Sequence, residues 1–234
     1  MKLFRKIRQK LINQGNLKRY IPYAIGEILL VMIGILLAFQ VSKWNDNRIK
    51  KDNEITYYKN IKDQINDDKT LIQSQIDYNS RFLNQFKFAN NIIERNERAN
   101  KDTLGIIIRN LISYSDFDRR GSIYETMVNS GEIKLLKNIE IINLIRILEE
   151  RYNYMNRMEE IHKNVVLNYS APMISQLISF SNNEIMEIDE VFSFEMQNLI
   201  LIMIQISEEK NYVYTSSINY IDNTLELIDK ELEK

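Results

Sequence analysis

Residues 20–44, YIPYAIGEILLVMIGILLAFQVSKW, constrain this chain more than any other stretch. From Ile21 to Val41 only Glu27 and Gln40 interrupt an apolar run. As a helix at ~1.5 Å per residue it is about 31 Å long, the thickness of a hydrocarbon core of roughly 30 Å. Its Ile, Leu, Val and Phe residues each favour insertion by about 0.3–0.6 kcal/mol, together more than the ~3 kcal/mol that one central charge opposes. The expectation is one transmembrane helix over 20–44, held in the membrane by lipid contact. A cleaved leader would have a shorter apolar core and small residues at its cleavage site. This run ends in Phe39-Gln40-Val41-Ser42-Lys43-Trp44, so retention as an anchor is favoured.

Charge sets the direction. Lys2, Arg5, Lys6, Arg8, Lys10, Lys18, Arg19 and Lys43 stand against Glu27 before residue 45, while the whole chain carries −1, so residues 45–234 form an acidic body. Residues 1–19 hold no acid and place Leu3, Phe4, Ile7, Leu11 and Ile12 along one helical face, the pattern of a basic amphipathic segment on an anionic membrane surface. The positive-inside bias puts this segment in the cytoplasm and residues 45–234 on the far side. Tyr20, Tyr23 and Trp44 then fall at the two interfaces, where amphipathic rings prefer to lie. The acidic body argues against nucleic acid, which needs a basic face.

Within the span, Glu27, Gly34 and Ala38 share one face. Small residues let a second helix approach, and a membrane carboxyl turns toward protein or water. A helix–helix contact, in a homo-oligomer or with another membrane protein, is the favoured use of that face; a proton-coupled role for Glu27 is the alternative, and a lone acid makes no relay.

Tyr23-Ala24-Ile25-Gly26-Glu27, Gly34-Ile35, Ala38, Gln40 and Trp44-Asn45 resemble the start of a family of uncharacterised single-pass bacterial membrane proteins, a domain of unknown function. Phe4-Arg5-Lys6-Ile7-Arg8 and the mid-chain block Tyr124…Ser130-Gly131-Glu132-Ile133-Lys134-Leu135-Leu136-Lys137-Asn138 resemble it too. The resemblance implies a topology and placement in a bacterial inner membrane with residues 45–234 periplasmic. It implies no activity.

The body reads as all-α: an up-and-down helical bundle of long, coiled-coil-like helices, with Gly and Pro too scarce to break them. A helix over 45–101 carries Tyr58, Ile65, Ile72, Phe86 and Ile93 at sevenfold spacing, with Asn79 interrupting. Leu104–Ser113 reads as a short helix, with a strand as the alternative its three consecutive Ile leave open, and Ser115–Gly121 as a loop. Ser122 and Glu125 form a capping box around Tyr124, Gly131 is a left-handed C-cap and Asn138 an N-cap, together a structural corner. A third helix over 139–170 carries Ile141, Leu148, Met155, His162 and Tyr169, and Pro172 ends or bends it. A last helix over about 189–233 carries Phe192, Leu199, Ile206, Val213, Tyr220 and Leu227, with Leu199–Ile204 as its most buried turn. From Val165 to Glu209 there is no Lys or Arg.

No chemistry is legible. Cysteine is absent and histidine single, so no catalytic, cofactor-binding or metal residues are assigned and no cofactor is expected. The carboxylate pairs Asp67-Asp68, Glu149-Glu150 and Glu159-Glu160 read as solvated faces. The favoured function is a non-enzymatic, membrane-anchored scaffold or accessory subunit; a single-pass sensor with a ligand-binding bundle, and a proton-coupled subunit built on Glu27, are the alternatives.

Overall fold

The computed structural model describes residues 17–118, 121 and 123–233, and the side chains of 17–20, 23 and 123 are not part of that description. The expected amphipathic helix over residues 1–12 and the cap Ser122 therefore lie outside the described residues. Among the described residues the fold is all-helical, without strands. In order come α1 (Leu17–Glu94), α2 (Lys101–Arg109), α3 (Ile123–Ser130), α4 (Ile139–Val165), α5 (Ala171–Leu177), α6 (Ile188–Val191) and α7 (Phe194–Leu232), with short 3-10 turns and one π-turn among the connections.

Contacts divide the chain after Glu54. In the first unit, the apolar part of α1 is long and apolar enough to cross a membrane, and none of it is buried. Leu30 is 64% exposed, Phe39 63% and Val41 64% among the described residues.

In the second unit, residues 55–234, the helix directions follow from cross-pairs. Lys62 pairs with Asp229, Lys69 with Asp222 and Lys87 with Glu208, so α1 and α7 run antiparallel. Asn138 meets Glu231 and Tyr154 meets Glu209, so α4 is antiparallel to α7 as well. The two earlier long helices thus point the same way. The return leg between them is made of short pieces: α2, an extended segment over 113–118, α3 and a 3-10 turn.

Local chemistry explains the boundaries. Helix α1 stops at Glu94, short of the expected 101, because Asn96 adopts a left-handed φ of 55°. The Glu97 N–H bonds to Ile92 O and the Asn96 N–H to Ile93 O, a Schellman pair that satisfies the last carbonyls. Gly131 takes φ 74° after α3. The Asn138 side chain accepts from the Glu140 and Ile141 N–H groups, capping α4 as its spacing predicts.

The sevenfold stripe of α1 is buried throughout: Tyr58, Ile65, Ile72, Phe86, Ile93 and the interrupting Asn79. The other two stripes hold over part of their length. In α4, Ile141, Leu148, Met155 and His162 are buried, but a π-turn over Val166–Ser170 adds a residue to the turn. Burial then passes to Val166, Ser170 and Ile174, and Tyr169, expected inside, is 67% exposed. In α7 Leu199, Ile206 and Val213 of the expected stripe are buried, but the buried face is wider and takes in Ile200, Met203, Ser207, Lys210, Tyr214, Ser217, Ile221, Thr224 and Ile228. Tyr220 and Leu227 are only half-buried, and within the expected most-buried turn Leu201 and Ile202 are exposed.

Candidate functional site

The apolar core of the second unit is in two parts. One gathers Phe86, Ile108, Val166, Ile174 and Met203 with their neighbours. The other gathers Tyr58, Ile72, Leu148, Tyr152, Tyr214 and Ile221. Between their residue ranges, α1, the 113–118 segment, α4 and α7 contribute buried polar groups: Asn79, Ser115, Glu159, His162, Ser207 and Lys210. Buried polar groups cost free energy unless paired, so their pairing defines the site.

On the α1 side, Asn79 Nδ2 donates to Ser207 O and to Asn211 Oδ1, both at 2.8 Å. On the α4 side, Glu159 Oε1 accepts from the Phe117 N–H at 2.8 Å and from the Tyr214 hydroxyl. The Lys210 ammonium donates to Ser115 O at 2.7 Å and lies 3.5 Å from His162 Nδ1. The Tyr114 ring meets His162 edge-on at 6.0 Å. The Asp116 N–H donates to Gln75 Oε1. These bonds tie the extended 113–118 segment to three long helices where it has no ladder of its own.

The electrostatics follow from burial. Burial pushes the Glu159 carboxyl up, opposed by the Tyr214 hydroxyl, the Lys210 charge and the Phe117 N–H. Burial brings Lys210 down to about 8 although Glu159 and Asp116 pull it upward. Burial, with the Lys210 charge beside it, holds His162 down to about 3, so at neutral pH its imidazole is uncharged. Burial and then Glu159 raise Tyr214. The neutral imidazole thus lies against the Lys210 ammonium, with the Glu159 carboxyl one helical turn away.

A cavity of about 460 Å³ opens beside this layer. Asp116, Asp118, Glu125, Glu159 and Glu160 line it, with Lys163 as the cation among the described residues. Glu159 therefore has two faces, one in the buried network and one on the cavity. Two carboxylates read as solvated are in fact buried, Glu159 and Asp68. Each falls on its helix's buried stripe, where the neighbouring Glu160 and Asp67 do not.

The residues singled out in the sequence separate into two groups. Glu27, Gly34 and Ala38 share a face of α1; Ala38 is exposed, a Cβ built on Gly34 would meet nothing within 4 Å, and Glu27 is half-buried with an interaction of its own. Trp44 is exposed, with the Arg48 guanidinium 5.6 Å from its ring centroid. Tyr20 and Tyr23 are helical in backbone. The corner residues lie in the second unit: Tyr124 packs on the second core part, Glu125 lines the cavity, and Asn138 Nδ2 reaches Glu231. Lys210 and Tyr214 were missed. The only signal for them was a lysine at sevenfold spacing from Met203 and Ser217. No group of three or more His, Cys, Asp or Glu able to hold a metal ion occurs among the described residues.

No protein-family model, curated protein or solved structure matches the chain.

Proposed function

We propose that the chain is a single-pass membrane anchor carrying a helical bundle, and that it acts as a non-enzymatic scaffold or accessory subunit binding other proteins. The observation that carries this is the uncovered apolar surface of Ile21–Val41: a face this greasy needs lipid or a partner helix around it. The basic residues before it favour a cytoplasmic N-terminus and a periplasmic body in a bacterial inner membrane, as the family resemblance also implies. On this reading the Glu27, Gly34 and Ala38 face receives a neighbouring helix, either a second copy or another membrane protein.

The cavity beside Glu159 favours a second reading, a sensor whose bundle takes up a small ligand. Purification of the full chain in mild detergent separates the two. A stoichiometric membrane partner supports the scaffold; a clean homodimer with a ligand in the cavity supports the sensor. Full extraction of the chain by alkaline carbonate, or a reporter fused after Lys234 that is active only inside the cell, would overturn the anchor and its direction.

A further inference from the structure

The apolar run of α1 ends at Val41, and the residues after it change character at once. Lys43, Arg48, Lys50 and Lys51 are exposed, and Trp44 among them is 66% exposed. The Arg48 guanidinium lies over the Trp44 ring, 5.6 Å from its centroid, and donates to Asn45 Oδ1 at 3.3 Å. A π-face and a neutral amide therefore steady this charge, and neither cancels it. Among the described residues no carboxylate forms an ion pair with Lys43, Lys50 or Lys51.

These cations share one side of the helix. At ~3.6 residues per turn, Lys43, Trp44, Arg48, Lys50 and Lys51 fall within about 160° of arc, and Asp46 and Asp52 fall outside it. Glu54 shares the arc but is buried, and both it and Asp52 have interactions of their own. The direction of the helix aims the charges. Side chains lean toward a helix's N-terminus, which for this stretch is back toward the apolar run. Lys43 stands about 3 Å past Val41 and Lys51 about 15 Å, at ~1.5 Å per residue. The headgroup layer beside a hydrocarbon core is roughly 5–8 Å deep. Lys43 and Trp44 stand within that layer, and the long stems of Arg48, Lys50 and Lys51 reach down to it.

We propose that this collar binds the phosphates of anionic phospholipids in the leaflet at the C-terminal end of the span, with the Trp44 ring packed at the hydrocarbon boundary. The proposal rests on the membrane-anchor reading and gives that anchor a lipid preference. The occupant is lipid because the collar continues the apolar run without a break: one helix offers hydrocarbon contact and then phosphate contact within a turn. The collar is separate from the basic residues 1–19, which lie before the other end of the span.

Trp44 is the only tryptophan, so its fluorescence reports this place alone. The full chain is reconstituted in bilayers of equal parts phosphatidylcholine and phosphatidylglycerol, with bromine on the acyl chains of one lipid or the other as a contact quencher. Brominated phosphatidylglycerol should quench as though about fivefold enriched beside Trp44, and salt near ~1 M should weaken the difference. Lys43→Gln, Lys50→Gln and Lys51→Gln together, exposed changes to another good helix former, should bring the two lipids to parity. Lys2→Gln, Arg5→Gln and Lys6→Gln together should leave the preference as it was. Equal quenching by both lipids in the unaltered chain overturns the collar, as does a preference that survives the collar variant or vanishes with the N-terminal one. In each of those cases the anchor stands, because lipid touches Trp44. Quenching by neither lipid overturns both.

Discussion

His162 should make the body acid-labile, by an amount the buried layer sets. The chain has one histidine, so its term can be isolated. Burial and the Lys210 charge hold its pKa at about 3, against 6.5 in the unfolded chain. The sign is that of a depressed base. Between these values the unfolded state binds a proton that the folded state refuses, so stability is complete above pH 6.5 and lost as pH falls toward 3. From pH 7.5 to 5.0 the loss is about 2 kcal/mol at ~1.36 kcal/mol per unit. For a body of this size that lowers Tm by about 4–8 °C. Glu159, one turn away and raised by burial, works in the opposite direction as it takes up its proton, so the wild-type drop alone is smaller than the histidine term. The comparison with His162→Gln, neutral at every pH, cancels the Glu159 part; His162→Phe serves the same end should the amide fail to fold. Circular-dichroism melts at pH 7.5 and 5.0 in one detergent supply the four Tm values. An NMR titration of the single imidazole reads the same pKa directly. A variant that loses as many degrees as the wild type, or an imidazole that titrates near 6.5, would refute the reasoning.

Two further changes probe the packing. Gly105 lies in α2 against the turn containing Asn183, and a Cβ built there would sit 2.2 Å from Asn183 O, a backbone atom. Gly105→Ala should therefore destabilise by about 1–3 kcal/mol, read as a lower Tm, because either α2 or the Asn183 turn must move. Lys210→Met removes the donor to Ser115 O and leaves that buried carbonyl without it, a loss of about 1–3 kcal/mol at pH 7 by urea titration. The same variant should flatten the alkaline profile: wild-type Lys210, at about 8 when folded and 10.5 when unfolded, gains the body about 2 kcal/mol between pH 8 and 10 as the buried charge is relieved.

What the sequence made legible, and what it hid, comes down to which side chains announce burial. Helix α1 was readable because its stripe is aromatic and aliphatic at every seventh place except Asn79, and one polar residue does not erase a period. The Asn138 and Gly131 boundaries were readable because capping is local chemistry that needs no tertiary context. Helix α7 was legible only in part: Leu199, Ile206 and Val213 are buried as their spacing predicts, but the buried face also includes Ser207, Lys210, Ser217 and Thr224. A hydrophobicity pattern assigns such residues to water. Two of them bury cheaply by a means no pattern shows: Ser217 and Thr224 return their hydroxyls to Val213 O and Tyr220 O within their own helix. Lys210 has no such local partner, and only the packed segment carrying Ser115 and the carboxylate of Glu159 make its burial tolerable.

That dependence gives the polar layer a structural consequence. Apolar packing is tolerant of register, since one Leu or Ile substitutes for another with modest loss. A buried lysine is not, because sliding α7 by a turn against α4 would leave Lys210 and Ser115 O without each other and take the Tyr214 hydroxyl away from Glu159, at about 1–3 kcal/mol for each unpaired group. Asn79 sets the same condition between α1 and α7 through Ser207 O and Asn211. Two apolar core parts with long heptad-like stripes could pair in more than one register; the layer between them admits one. The extended 113–118 segment is held by this layer, and Asp116, Phe117 and Asp118 of that segment border the acid-lined cavity. The geometry of the cavity therefore depends on the protonation and pairing of groups behind its wall, Lys210 above all, and a substitution that never touches the cavity should still reshape it.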